Sequence, residues 1–395
     1  MFTSLPLISS LVLLAGSLQA APIRRSANDI LVFQFAGVLE RLETEFYTQA
    51  LAKFQDADFT AAGFANVNVP KEIFTGIMSD ESTHSSVIEK AIIAQGAQPV
   101  TTCKFDFGNA LQDVKTMAAT ARVIENVGVS AYLGGANLLD TKELLVAAAT
   151  ILTVEARHQS LLNVLNAGTA IPSPFDMALS PSQILAIAGA FISGCDLGIP
   201  ALPALAVTNT GAIAPGTSLT FSSTGIPSDT TGLTCQMMTG GADFALALPF
   251  DACVVPQING PVYIYIVNST LAQPILSDLT QQFSSSILAG PTLAFIDTIP
   301  QTIGEVATSG SATSSSSSGA SSSSSSSVDN SVSASTTTIT AAQATALVQA
   351  AIVQPGANST DTSSSSTDAL ANATSSAVQP TSSAVAVAVQ VLGWS

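Results

Sequence analysis

The sequence predicts a mainly α protein: a four-helix bundle, then a small β-sandwich-like domain, then a disordered Ser/Thr-rich tail. Three observations predict it. Apolar residues recur with helical period from about 28 to 168. Short β-like runs separated by Gly, Pro, Asn and Asp follow from about 200 to 300. Between 311 and 340, 21 of 30 residues are Ser or Thr.

At 395 residues and 40.0 kDa the chain has room for two domains and a tail. Its 11 Lys and Arg stand against 27 Asp and Glu, for a formal charge of −16. No basic run exceeds Arg24-Arg25, which excludes the electrostatic footprint of a nucleic-acid binder. All 11 basic residues and 16 of the acids lie within residues 1–157, so the two halves differ in composition.

Residues 1–20 hold a short apolar run around Leu11–Ala15 that ends in small residues at Ala20 and Ala21. This is the pattern of a secretory signal peptide, and the run is too short to span a bilayer. In an oxidising compartment Cys103, Cys195, Cys235 and Cys253 are candidates for disulfides, with three possible connectivities. Cys235 with Cys253 and Cys103 with Cys195 is the pairing expected, since the first two are close in a β-like stretch.

The bundle occupies 28–168 and its stripes are read by steps of three and four. They are Phe33, Ala36, Glu40, Glu43, Tyr47, Ala50 and Phe54; Phe74, Ile77, Glu81, His84, Ile88 and Ala91; Val114, Ala118, Ala121, Glu125, Gly128, Tyr132 and Gly135; and Leu144, Ala148, Ile151, Glu155, His158, Leu162 and Leu165. Each is apolar except near its middle. A β-rich domain over 196–300 follows from runs such as Phe244–Leu248 and Val262–Val267, with turn chemistry at Ala214-Pro215-Gly216 and Asn259-Gly260. Residues 301–395 are assigned to the tail, too polar to bury a core and suited to glycosylation. Sequons stand at Asn268, Asn358 and Asn372. Ala384 to Trp394 has the outline of a glycolipid-anchor signal, although it is short and contains Gln390.

The chemistry sits at the middle of the stripes. Both histidines of the chain follow a glutamate by three, in Glu81-Ser-Thr-His84 and Glu155-Ala-Arg-His158, although only 10 of 395 residues are Glu. Residues i and i+3 share a helix face, so each pair can offer a carboxylate and an imidazole to one metal. Buried carboxylates repel one another and resist desolvation unless cations neutralise them. Four Glu and two His around two divalent ions satisfy that need. The pattern repeats internally: Glu40 precedes Tyr47 by seven, Glu125 precedes Tyr132 by seven, and an E-x-x-H helix follows each. The competing reading is a bundle that keeps these residues without metal. P-loop, G-x-G-x-x-G and C-x-x-C motifs are absent from the sequence.

With those residues in place the sequence resembles the ferritin-like di-iron carboxylate superfamily. More narrowly, LERLETEFYTQAL at 39–51, DESTH at 80–84 and VIENVGVSAYLGGA at 123–136 are similar to fungal stress-response and late-sexual-development proteins, which are related to plant desiccation-related proteins. The resemblance implies that Glu40, Glu81 and His84 serve one metal and Glu125, Glu155 and His158 the other, with Glu81 and Glu155 bridging. It implies that Tyr47 and Tyr132 orient carboxylates from behind. Glu43 lies one turn from Glu40 on the same stripe, and the spacing to Tyr47 favours Glu40. The cofactor implied is two Fe or two Mn ions, and the reactions are of ferroxidase, peroxidase or catalase type on O2, peroxide or Fe(II). The expected partners are a small oxidant or metal ion and, outside the cell, a wall polysaccharide. A non-enzymatic extracellular scaffold is the alternative.

Overall fold

Four long helices form where the apolar stripes predict them. The computed structural model describes residues 26–270, 276, 285–299 and 301–309. The leader at 1–20, the sequons at Asn358 and Asn372, the tail from 310 and the anchor-like terminus lie outside the described residues. Helix α1 is Ala27–Lys53, the short α2 Asp56–Ala61, α3 Asn68–Ala94, α4 Val114–Ala136 and α5 Lys142–Leu165. Local signals set the ends. Ser26 caps α1 by accepting from Asp29 N, and Asp113 caps α4 by accepting from Thr116 N at 2.8 Å. Asp29, fully buried, in turn receives Asp140 N at 2.8 Å and the Thr141 hydroxyl, which fixes the start of α5 against α1.

Helix α1 packs along α3, and α4 along α5. A ferritin-type order requires the link between α3 and α4 to run the length of the bundle, about 37 Å for a helix of about 25 residues. Residues 95–113 do this in partly extended form. Strand β1, Lys104–Phe105, pairs with β2, Ile192–Ser193, and the Cys103–Cys195 disulfide ties the same two segments. Arg41 of α1 holds the link, donating from Nη1 to Val100 O at 2.7 Å while its guanidinium stacks 5.6 Å from the Phe105 ring centre. Two apolar cores fill the bundle on either side of its polar middle. One gathers Phe46, Phe54, Phe59, Phe74, Met117 and Leu162, and the other Phe33, Ile88, Ile92, Leu144 and Ile151.

The later chain forms an antiparallel sheet rather than two comparable sheets. Its order is β6 (Leu246–Pro249), β5 (Leu233–Met238), β7 (Gly260–Asn268), β8 (Ile287–Ile296). Side chains of β7 alternate between two cores, as strand geometry demands. Tyr263, Tyr265 and Val267 pack with Phe35, Leu39 and Val127 of the bundle and with Ile184 and Leu185 of α6 (Pro181–Ala188). Val262, Ile264 and Ile266 face Leu205, Leu219 and Val255 around the ribbon of β3 (Ala206–Val207) and β4 (Phe221–Ser222). The sandwich expectation therefore needs correction: one covering layer is helical and the other is a two-stranded ribbon with coil. The physical reason is that PVYIYIV in β7 is apolar on both faces, so both need cover, and α4 and α6 supply it on one side.

Bundle and sheet share a core, and all described residues fall in one compact unit. Ordered structure also passes residue 300. Helix α7, Thr302–Ser309, docks on the bundle through Gly304 against Ala167 and through Ala65 N donating to Thr308 O at 2.7 Å. Cys235–Cys253 is formed, joining β5 to the segment after β6. Asn268 ends β7, half-buried, with its Oδ1 accepting from the Thr270 hydroxyl at 2.6 Å.

Candidate metal centre

The middle turns of the four long helices converge. Helix α1 brings Glu40, Glu43 and Tyr47, α3 brings Asp80, Glu81 and His84, α4 brings Glu125 and Tyr132, and α5 brings Glu155 and His158. Helical spacings of three, four and seven keep all of these except Asp80 on the inward faces of their helices. All five glutamates and both histidines are buried.

Two overlapping groups result. Glu40, Glu81, His84 and Glu155 each offer an atom within 4.8 Å of the others, and so do Glu81, Glu125, Glu155 and His158. Glu81 and Glu155 are common to both. His84 Nδ1 faces Glu81 Oε2 at 3.2 Å and Glu40 Oε2 and Glu155 Oε1 at 3.4 Å each. His158 Nδ1 faces Glu81 Oε1 at 2.8 Å and Glu125 Oε2 at 3.2 Å. Both imidazoles thus present Nδ1 inward, with ring centres 6.4 Å apart. The six residues read from the sequence are the six brought together.

The tyrosines cross between halves. Tyr47 on α1 donates to Glu125 Oε1 on α4 at 2.6 Å, and Tyr132 on α4 donates to Glu40 Oε1 on α1. Each removes one oxygen of its glutamate from competition and aims the other inward.

Electrostatics describe a pocket that demands positive charge. Burial pushes Glu40 up to about 8 against the pull of His84. Burial, then the charge of Glu155, lifts Glu43 well above the usual carboxylate range, and burial, then the charge of Glu81, does the same for Glu155. Glu125 is raised by burial and by Glu81. Burial opposes charge on Glu81 too, but hydrogen bonds from His158 and His84 win and bring it down to about 2. His84 is lifted to about 12, burial being overcome by Glu155, Glu40 and Glu81, and His158 to about 11 by Glu125 and Glu81. Two imidazolium protons or two metal ions can meet this demand. The donor set fits metal, because buried Glu40 Oε2 and both Glu155 oxygens accept no hydrogen bond.

Two features escape sequence reading. Asp80, whose side chain is 52% exposed, reaches from α3 to α5 and places Oδ2 3.1 Å from His158 Nε2. It lies beside Glu81, off the buried stripe, so periodicity places it in solvent. The other is the double burial of α4. Behind Glu125, Asn126 and Ser130 bond the Tyr263 hydroxyl at 2.6 Å each, and Arg122 pairs with Asp297 through two 2.8 Å bonds while stacking 3.8 Å from the Phe295 ring centre. The clustering of Gly, Ala, Val and Ser in α4 was its only trace in the sequence.

With this geometry established, the helical part can be compared with known families. A family model described as the ferritin-like domain matches residues 28–167. Those residues are similar to a ferritin-like domain. The match takes in the four long helices and all six converging residues and leaves the sheet outside it. No curated protein matches the chain.

Proposed function

We propose that the ferritin-like domain holds two Fe or two Mn ions and that the protein is a secreted oxidoreductase acting on O2, peroxide or Fe(II). The single observation that carries this reading is the pair of four-residue groups sharing Glu81 and Glu155. Glu40, Glu81 and His84 would hold one ion, Glu125, Glu155 and His158 the other, and Glu81 and Glu155 both. When bound, such a pair supplies redox chemistry and a place for a small oxidant.

The chain's own residues do the rest. Tyr47 and Tyr132 fix the orientation of Glu125 and Glu40. Asp80 holds His158 by its outer nitrogen, leaving Nδ1 to face inward. The two apolar cores exclude water along the bundle axis, which strengthens every electrostatic interaction between them. Two disulfides support an extracellular setting, as does the leader at 1–20. The motif likeness to fungal stress-response and sexual-development proteins supports a protective role.

The test is to load the full chain with Fe(II) or Mn(II) and follow Fe(II) oxidation and peroxide consumption beside Glu81→Ala/Glu155→Ala. Turnover that depends on both glutamates is expected. A wild-type protein that takes up two ions and consumes neither O2 nor peroxide would contradict the enzymatic part and leave a wall-associated or metal-holding scaffold.

A further inference from the structure

Outside the metal centre, a cavity of about 370 Å³ lies between the α1–α3 pair and the crossover link. Small-molecule sites span roughly 300–1,000 Å³, so it has the room for one. Three walls form it. Arg41, Thr44 and Glu45 share one face of α1 and Ser82 and Ser85 one face of α3, by spacings of three and four, while Lys104 and Phe105 belong to β1. The walls are fixed from behind. Arg41 donates from Nη1 to Val100 O at 2.7 Å, and its guanidinium stacks on the Phe105 ring. Lys104 pairs with Ser193 of β2, next to the Cys103–Cys195 bond, and its stem lies along Gly194, where a Cβ would stand 3.6 Å from Lys104 Cγ.

The groups left over in this cavity are those that recognise a hydroxylated anion. Among the described residues neither Arg41 nor Lys104 has a carboxylate partner, although the chain holds 27 acids to 11 bases. The Lys104 ammonium and the Ser82 and Ser85 hydroxyls make no hydrogen bond with any described residue. Glu45 gives one oxygen to Gln49 Nε2 at 2.8 Å and keeps the other as an acceptor. Two cations against one carboxylate suit a ligand with a single negative charge, and the acceptor suits one that carries hydroxyls as well. The groove continues past Arg41 and Ser85 into a smaller cavity of about 70 Å³ beside Gln34 and Glu89, so a ligand of more than one ring has space to extend.

We propose that this cavity binds a sugar acid, a monocarboxylate bearing several hydroxyls, with Arg41 and Lys104 on the carboxylate and Ser82, Ser85 and Glu45 on the hydroxyls. The ligand is either the free acid or a uronate unit of an acidic polysaccharide. None of the lining residues belongs to the two metal-holding groups, so the proposal stands apart from the dinuclear reading.

The experiment titrates the full chain, without added metal, by calorimetry with galacturonate, trigalacturonate, galactose and sulfate, beside Lys104→Gln. Lys104 is exposed, and circular dichroism checks that the variant keeps the fold. The expected result is saturable binding of galacturonate, weaker in the variant by about tenfold for the loss of one charge-assisted hydrogen bond, with galactose and sulfate each bound at least about tenfold more weakly than galacturonate by the wild type. Trigalacturonate bound more tightly than the monomer would support the polysaccharide source, and equal affinity for the two would support the free acid. No saturable binding of galacturonate, equal affinity for sulfate or galactose, or unchanged affinity in a folded Lys104→Gln would overturn the proposal.

Discussion

A charged residue inside a helical bundle is informative because its burial is expensive, and here five glutamates and two histidines are buried together. Their protonation makes a specific prediction. In the unfolded chain the glutamates release protons near their ordinary value of 4.5 and the histidines near 6.5, whereas in the fold Glu40 holds its proton to about 8 and His84 and His158 to about 12 and 11. Folding therefore takes up protons between pH 4.5 and 8, and stability falls as pH rises through that window. Glu81, brought down to about 2, acts oppositely, and its contribution is lost as pH falls from 4.5 toward 2. Metal-free protein should accordingly show a melting temperature that declines from mildly acidic to mildly alkaline pH, measured by thermal scans across the range. Metal uptake should show the reverse dependence, strengthening with pH, because the ions must displace those protons. Asp80→Asn is the second prediction at this scale. It should keep the fold and weaken metal binding by about tenfold, read by calorimetry, since only the hold on His158 Nε2 is lost. An unchanged affinity would show that Asp80 does not orient the ring.

At the scale of elements, α4 is the part that makes bundle and sheet one body. Removing the buried guanidinium in Arg122→Ala leaves Asp297 and Asn163 without their shared partner, and about 3 kcal/mol of stability should go with it, seen in chemical denaturation. Gly134→Ala should be worse, because a Cβ there would fall 1.8 Å from Leu179 O, on the backbone that leads into α6. The four long helices were legible in the sequence because each is amphipathic with a period that only an α-helix satisfies. The six converging residues were legible because each interrupts an apolar stripe at its middle. The layer on either side of β7 was not legible, since an apolar run covered on both faces reads the same whatever covers it. Nor was Asp80, because its role depends on the distance between α3 and α5 rather than on any spacing within α3. Glu43 was visible on its stripe, but only the neighbouring Gly128 on α4, where a Cβ would stand 3.1 Å from Glu43 Oε1, shows why the bundle can accommodate it.

Over the whole molecule, the Cys103–Cys195 bond closes a loop of 92 residues that contains α4, α5 and α6 and fastens the long crossover to the segment entering the sheet. Replacing both cysteines by serine should cost about 4 kcal/mol by the loop-entropy argument, measured as a lowered denaturation midpoint. The acidic groups buried near the centre of this fold are neutralised by protons in the metal-free chain or by bound ions, and the account as a whole depends on the ions. The most direct measurement is therefore bound metal per chain, by elemental analysis of the full-length protein after loading with Fe(II) or Mn(II), beside Glu81→Ala/Glu155→Ala. The account predicts two ions per chain in the wild type and loss of both in a variant that still folds. A folded wild type that retains no metal after loading would contradict it.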